Sequence, residues 1–354
     1  MNFKNIIFSF LKIILSPISI IYGCVIYVRN FLFDKKILPS TSFKVPLICV
    51  GNIAVGGTGK TPMTEYLIKL LSRQNSRIAT VSRGYRRKTK GFFIADNKTT
   101  SEKIGDEPMQ LHTKFPHINV CVGEDRVNAV QQLLKWKPDT NAIILDDAFQ
   151  HMKIAAGLNI LLTDFNRPFY KDYFLPIGKL RDQRLSAKRA DVIVVTKCPV
   201  DLSNDDKEKI IHHINPVNQS IFFAAIKYGN PYHISNSEEF IMNSQTHYLL
   251  VHGIANAASL KNYIAVFDKK FEEIKFEDHH DYTLSDVQKI MAAYQANRDT
   301  VIITTEKDGA KLKTFTNLLS KVPVYLLPIE TFFLFDEQEK FDNLIKDFVS
   351  EFNK

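Results

Sequence analysis

Short, continuous apolar runs alternate along this chain with stretches whose apolar residues recur every three or four positions. Leu47-Ile-Cys-Val50, Ile78-Ala-Thr-Val81, Ala142-Ile-Ile-Leu145, Asn159-Ile-Leu-Leu162 and Val192-Ile-Val-Val195 read as strands buried on both faces. Pro46 suits only a strand start, which places the first strand after it. Thr64-Glu-Tyr-Leu-Ile-Lys-Leu-Leu71 carries the helical period, and Met109–Phe115 reads as a short helix. Crossover-length segments separate most of the strands, which predicts a parallel sheet covered by helices on both faces, an α/β fold. From about residue 222 the chain has its own alternation of strands and helices. The expected division is therefore a first domain over 41–221 and a smaller α/β domain over 222–354.

Residues 1–40 depart from this pattern. Ile13 to Val28 reads IILSPISIIYGCVIYV without a charge, and Lys4, Lys12, Arg29, Lys35 and Lys36 flank it against one acid, Asp34. A spanning helix needs about 20 apolar residues, and this run is shorter and holds Pro17. No small-residue cleavage site follows, as a signal peptide would require. The expectation is an interfacial helix pair with Pro17 near a break and the basic residues reaching for anionic head groups. A helix covering the main core and a short transmembrane anchor are the alternatives.

Composition adds little to this picture. The length of 354 residues suffices for one large or two medium domains, each with its own core. A net charge of +8 suits nucleic acid, a phospholipid surface or a phosphorylated substrate, and equally a mildly basic solvated surface. Cys24, Cys49, Cys121 and Cys198 are widely spaced, which argues against a disulfide framework or a zinc site and fits a reducing compartment.

The candidate chemistry begins after the first strand. Val55-Gly56-Gly57-Thr58-Gly59-Lys60-Thr61 lies between a predicted strand and a predicted helix, the setting a phosphate-binding P-loop requires. Glycines let backbone N–H groups converge on phosphates, and the helix N-terminus adds its positive end. Lys60 is expected to reach the outer phosphates of ATP, and the Thr61 hydroxyl to bind Mg2+. The usual pattern places a glycine where this chain has Ala54.

Ile143-Ile-Leu-Asp146-Asp147 is a strand ending in two carboxylates, where a P-loop enzyme holds its metal. Either Asp146 or Asp147 could bind it, with Gln150 and His151 close behind. Ser82-Arg83-Gly84-Tyr85-Arg86-Arg87-Lys88 follows the second strand, so Arg83 and Arg86 are candidates for pairing with phosphate oxygens. Gly105-Asp106-Glu107-Pro108 reads by itself as a helix start, with Asp106 as cap and Pro108 in the first turn. Glu277-Asp-His-His-Asp281 has the composition of a metal cluster, but adjacent histidines point in different directions. Thr304-Thr-Glu-Lys-Asp308 is a further polar patch at a strand end.

In combination these segments resemble the tetraacyldisaccharide 4′-kinase family, the lipid A 4′-kinases of Gram-negative bacteria. The shared pieces run in order from Val50-Gly-Asn52 through the P-loop to Pro62, then Ser82–Tyr85, Gly105–Pro108 and Asp146-Asp-Ala-Phe-Gln-His151. Gly178-Lys-Leu-Arg181-Asp182, Asp278-His-His280 and Thr304–Asp308 follow. The resemblance implies transfer of the ATP γ-phosphate to the 4′-hydroxyl of a tetraacyl glucosamine disaccharide 1-phosphate at the cytoplasmic face of the inner membrane. It implies Asp106 as catalytic base assisted by His279, and Mg2+ held by Thr61 with the Asp146-Asp147 pair. Gln150 and His151 stand beside that pair, and Arg181 is a further candidate. The implied partners are the lipid A precursor and a membrane surface, not nucleic acid, with a monomer as the expected state. Ala54 agrees with the family's own form of the loop. Ala148-Phe149 replaces a common Gly-Leu, and Asp182 replaces a usual Glu.

Two other classes compete with this reading. A P-loop GTPase needs Asn/Thr-Lys-x-Asp after a strand, and Thr196-Lys197-Cys198-Pro199 lacks the final carboxylate. A membrane-bound scaffold with an inactive loop predicts that Lys60→Ala is without effect.

Overall fold

The computed structural model describes residues 3–74, 77–278 and 280–352, and the side chains among them from Ile14 onward. Helix α1 (Phe3–Asp34) opens the chain as one continuous helix with Pro17 inside it. The expected helix pair with a break near Pro17 is therefore not formed. In one long helix, proline removes a single backbone hydrogen bond, a defect that neighbouring turns can bridge.

The first half alternates as expected: β1 (Leu47–Gly51), α2 (Lys60–Ser72), β2 (Ile78–Ser82), β3 (Phe93–Ile94), α3 (Ser101–Ile104), α4 (Asp106–Lys114), β4 (Asn119–Val122) and α5 (Arg126–Trp136). Then come β5 (Ala142–Asp146), β6 (Leu158–Asp164), β7 (Val192–Thr196), α6 (Asn204–Ile214) and β8 (Ser220–Tyr228). A second unit contains β9 (Tyr232–His233), β10 (His247–His252), α7 (Ala258–Phe267), β11 (Glu272–Lys275), α8 (Leu284–Ala296), β12 (Thr300–Thr305), α9 (Glu306–Leu312), α10 (Thr316–Leu319) and β13 (Val324–Leu327). The chain closes with β14 (Ile329–Phe333) and α11 (Gln338–Glu351).

The larger sheet runs β14-β8-β7-β6-β1-β5-β2-β4-β3, parallel except at its two outer pairs. Alternate residues of each strand enter opposite cores. Ile48 and Val50 pack with Met63 and Leu67 of α2, whereas Leu47 and Cys49 pack with Val130 and Leu133 of α5. The smaller sheet runs β11-β10-β12-β13-β9 and is likewise covered on both faces.

Residue 222, where the sequence pattern divides the chain, lies inside β8, and that strand pairs with β7. The smaller sheet uses residues 232 to 327 only, and β14 then returns to pair with β8. Phe333 of β14 and Phe341 of α11 stack at 4.2 Å within the first core. A strand that pairs with the first sheet but precedes the second gives no local signal of its allegiance.

β1 sits between β5 and β6, the point where strand order reverses, and the crevice beyond such strand ends is where open α/β sheets bind ligands. Helix α1 lies against the loop that follows β6. Ser19 donates to the Phe174 carbonyl at 3.0 Å and Tyr22 to the Arg181 carbonyl at 3.0 Å. A Cβ at Gly23 would come within 3.0 Å of the Phe174 ring, so glycine permits this close seating. On the other face Ile14, Ile18, Ile21, Val25 and Val28 are exposed, at alternating spacings of four and three.

Candidate active site

The strand β1 ends at Gly51, where a Cβ would meet Phe149 Cβ at 2.6 Å, so the strand end packs tightly on the segment after Asp147. Asn52 follows, buried, and its side chain donates to Thr58 Oγ1 at 2.6 Å while its backbone carbonyl accepts from Gln150 at 2.7 Å. The loop then rises. Val55 N–H donates to the Lys179 carbonyl at 2.8 Å, and Gly56 and Gly59 take φ of 114° and 85°. A Cβ on Gly56 or Gly57 would meet nothing within 4 Å, so the loop faces open space. Helix α2 begins at Lys60 with no side-chain cap, which leaves its first N–H groups to an external anion. From behind, Thr196 Oγ1 donates to the Thr58 carbonyl at 2.8 Å. Lys197 donates to the Gly57 carbonyl and pairs with Asp164 at 2.8 Å. An open, glycine-lined, uncapped helix start fits a polyphosphate.

Two carboxylates face this loop from the end of β5. Asp146 is fully buried and accepts a long hydrogen bond from Thr64 at 3.4 Å. Burial pushes its carboxyl up to about 7, and the neighbouring charges of Glu107 and Asp147 add to that rise. Asp147 takes a left-handed φ of 49°, which turns its side chain toward the loop. Arg181 donates to both its oxygens and Lys60 Nζ lies 3.8 Å away. Burial opposes ionisation of Asp147, but Arg181 and Lys60 outweigh it and hold the carboxyl below its ordinary range. Among the described residues no three His, Cys, Asp or Glu side chains converge on one metal position. The oxygen donors of Thr61, Asp146 and Asp147 suit Mg2+, which commonly keeps few protein ligands and completes its shell with phosphate oxygens and water.

Asp106 is placed by two glycines. Gly84, after β2, and Gly105 have positive φ of 70° and 92°, and a Cβ on either would lie 2.7 Å from a carbonyl oxygen of the other segment. The two turns therefore interlock, which carries Asp106 to the first position of α4. Gly105 occupies the cap position and no side chain caps the helix, so the capping role that the local sequence favours for Asp106 is not adopted. The Asp106 carboxylate instead lies 2.7 Å from Lys311 of α9. His279 lies outside the described residues. Beside it, His280 stacks on Phe276 at 4.6 Å and meets Asp286 at 3.0 Å.

His151 is half-buried; burial, then the Arg126 charge, lowers its imidazole to about 4. Arg83 is exposed but within electrostatic reach of both Arg126 and His151. Arg86 lies over the Tyr85 ring at 5.7 Å. Arg126 and Lys311 carry no signal in the sequence, and Asn52, Glu107, Thr196 and Lys197 stand in segments named above that gave them no role at the phosphate site. Arg126 is only 2 % exposed, its Nε and Nη2 meet no hydrogen-bond partner among the described residues, and the charges of Asp146 and Asp147 act on it. Asn52 and Lys197 each stand one residue beyond a strand end, a signal that could have found them.

Three comparisons bear on this geometry. The family model described as LpxK, tetraacyldisaccharide-1-P 4′-kinase, matches residues 11–350. The tetraacyldisaccharide 4′-kinase of Bacteroides thetaiotaomicron is 41 % identical over 355 residues, covering 95 % of this chain and 93 % of the relative. That of Flavobacterium johnsoniae is 42 % identical over 349 residues, covering 97 % and 98 %. The crystal structure of an "apo" form of LpxK from Aquifex aeolicus in complex with ATP superposes with a TM-score of 0.76 at 28 % identity, covering 96 % of this chain and 99 % of that one. A family model that matches nearly the whole chain, relatives that are 41 % and 42 % identical along almost their full length, and a solved structure of the same fold agree, and the chain belongs to the tetraacyldisaccharide-1-P 4′-kinase family.

Proposed function

We propose that this protein transfers the γ-phosphoryl group of ATP to the 4′-hydroxyl of a tetraacyl glucosamine disaccharide 1-phosphate in lipid A biosynthesis. The observation that carries the site assignment is the open loop Val55–Thr61 facing Asp146 and Asp147, with Lys60 between them at 3.8 Å from Asp147. Phosphoryl transfer asks the protein for positioning and charge neutralisation rather than covalent chemistry. The backbone of Val55 to Gly59 and the start of α2 bind the phosphates, and Lys60 reaches the γ-phosphoryl oxygens. Thr61 with Asp146 and Asp147 would hold Mg2+, which when bound would supply charge neutralisation at the phosphates. Arg181 orients Asp147, and Gln150 fixes the loop through Asn52. The 4′-oxygen forms its bond to the γ-phosphorus as the bond to the β–γ bridging oxygen breaks, and Asp106 accepts the hydroxyl proton, assisted by His279. Arg83, Arg86 and His151 line the approach of the anionic acceptor. The smaller lobe closes over the site and brings α9 against α4.

The acceptor is a lipid, and the exposed apolar face of α1 supports a seat at a membrane surface. Ile14–Phe31 spans about 25 Å at the rise of an α-helix. Its other face is fixed to the loop that carries Arg181, so a helix lying in the head groups holds the site beside them. The basic residues near its ends add about 1 kcal/mol each at an anionic surface. We place the protein at the cytoplasmic face of the inner membrane of a Gram-negative bacterium, as a monomer.

The test is transfer of label from γ-labelled ATP to the tetraacyl disaccharide 1-phosphate by the purified protein. Label on the lipid supports the reading; turnover of GTP alone, or ATP hydrolysis without labelled lipid, overturns it. The GTPase alternative has lost its remaining support in Thr196-Lys197, because both side chains brace the P-loop from behind.

A further inference from the structure

Lys311 is only 7 % exposed, yet its ammonium meets groups from both lobes. Its Nζ lies 2.7 Å from Asp106 Oδ2 on α4, donates to the His280 carbonyl at 2.9 Å and stands 3.6 Å from Asp281. One helical turn earlier, Lys307 Nζ lies 3.1 Å from Asp278 Oδ1. Two lysines of one helix therefore hold the chain on both sides of position 279, and one of them also holds Asp106.

The helix that carries them is itself fixed. Thr305 caps α9 by accepting from Asp308 N–H at 3.0 Å, and the Asp308 carboxylate accepts from Gly253 N–H at 3.0 Å. At the far end of α4, Lys114 reaches Glu306 of α9 at 2.7 Å, and Glu306 also accepts from Tyr232 at 3.0 Å. The two helices are thus tied at both ends, by Asp106–Lys311 and by Lys114–Glu306. Both ties cross from the first sheet's helices to the second lobe. A buried ammonium is costly unless it is paired and hydrogen-bonded, and packing alone would be served by methionine at this position.

We propose that Lys311 is a positioning residue for phosphoryl transfer: it fixes the Asp106 carboxylate and the His280–Asp281 segment in one arrangement when the second lobe is docked. The assignment rests on the reading of Asp106 as proton acceptor. Lys311 contributes through Asp106 and does not itself touch the acceptor. Loss of its charge should therefore slow the chemical step while leaving the nucleotide loop, which Lys311 does not support, able to bind ATP.

The experiment compares wild type, Lys311→Met, Lys311→Arg, Asp106→Asn and the Asp106→Asn/Lys311→Met double variant. Label transfer, KM for ATP and thermal unfolding are measured for each. Lys311→Met is expected to lower kcat by about 10²-fold with KM for ATP within about 2-fold. Lys311→Arg should recover at least a tenth of the loss-free rate, and the double variant should be no more than about 2-fold slower than Asp106→Asn alone. Multiplicative losses in the double variant, or an arginine variant no faster than the methionine one, overturn the proposal. A methionine variant that unfolds is decided by Lys311→Arg and by the Asp106→Asn background at a temperature where both are folded. A wild-type protein that labels no lipid refutes the function assignment itself, an outcome separate from any difference among the variants.

Discussion

Arg181 donates through both terminal guanidinium nitrogens to the two oxygens of Asp147, one residue before Asp182 enters the contact with helix α1. The fork also reaches Asn52 Oδ1 at 2.5 Å, so one side chain joins the loop after β1 to the carboxylate after β5. Lysine cannot reproduce a planar bidentate pairing. Arg181→Lys should lower kcat/KM by roughly 10-fold and Arg181→Ala by about 10² to 10³-fold, in the range of other lost electrostatic groups. Steady-state kinetics with the lipid acceptor, at constant thermal stability, checks this.

Lys60→Ala separates an enzyme from a scaffold carrying an inert loop. Lys60 makes one long ion pair with Asp147, so the fold should survive its removal. Label transfer should fall by about 10³-fold or more, because the charge on the transferred group loses its cation. An unchanged rate would leave the loop without a catalytic role.

Asp182 is a structural group rather than a reacting one. Its side chain is fully buried and accepts from Asn30 of α1 at 2.8 Å, from Ser186 at 2.7 Å and from Arg189 at 3.0 Å. Asp182→Asn leaves Arg189 short of its counter-charge and should cost about 2–4 kcal/mol, read from denaturant unfolding. Burial alone would raise the Asp182 carboxyl, but Arg189 and the bonds from Ser186 and Asn30 hold it low. Its stabilisation is therefore present above the ordinary carboxylate range near pH 4 and is lost as pH falls below it. The same variant should weaken binding of the protein to anionic vesicles, because α1 loses its seat.

The sequence pattern exposed what is encoded locally. The apolar runs at Leu47–Val50 and Ala142–Leu145 became central strands because each residue has a core on its own face. Position 54, where the usual loop carries glycine, is alanine because it pairs with Leu180 as an extended bridge and needs no positive φ. The placement of Asp106 was hidden, since its neighbours spell a helix cap and the partner that draws it away, Lys311, is 205 residues distant in sequence. The continuity of α1 was likewise hidden. Pro17 signals a break, and the contacts that stabilise the helix, such as Ser19 with Phe174, are 155 residues apart.

His151 gives the protein a pH dependence of its own. Burial, then the Arg126 charge, lowers its folded-state imidazole to about 4, while an unfolded histidine titrates near 6.5. Above 6.5 both states are neutral and the group is silent. As pH falls from about 6.5 toward 4 the unfolded chain takes up a proton that the folded one refuses, so stability declines across that window. His151→Gln should flatten this part of the stability-against-pH curve, measured by thermal unfolding at constant ionic strength. A curve of unchanged slope would mean that His151 takes up its proton over the same pH range in the folded as in the unfolded protein.

Gly105→Ala tests whether interlocking turns, rather than the carboxylate alone, make Asp106 competent. Gly105 has φ 92° and ψ 163°, a region open almost only to glycine. Its absent Cβ would stand 2.7 Å from the Tyr85 carbonyl oxygen, with Gly84 pressed behind it. Alanine there should cost about 1–3 kcal/mol for the backbone alone. The strain can be relieved only by separating the Ser82–Tyr85 turn from the start of α4, which moves Asp106 away from Lys311. Label transfer should therefore fall more steeply than stability, while ATP binding at the Val55–Thr61 loop persists. Equal losses in ATP affinity and transfer would show that the turn supports the whole sheet edge instead of the proton acceptor. A variant with full transfer would show that Asp106 reaches its position without the interlock.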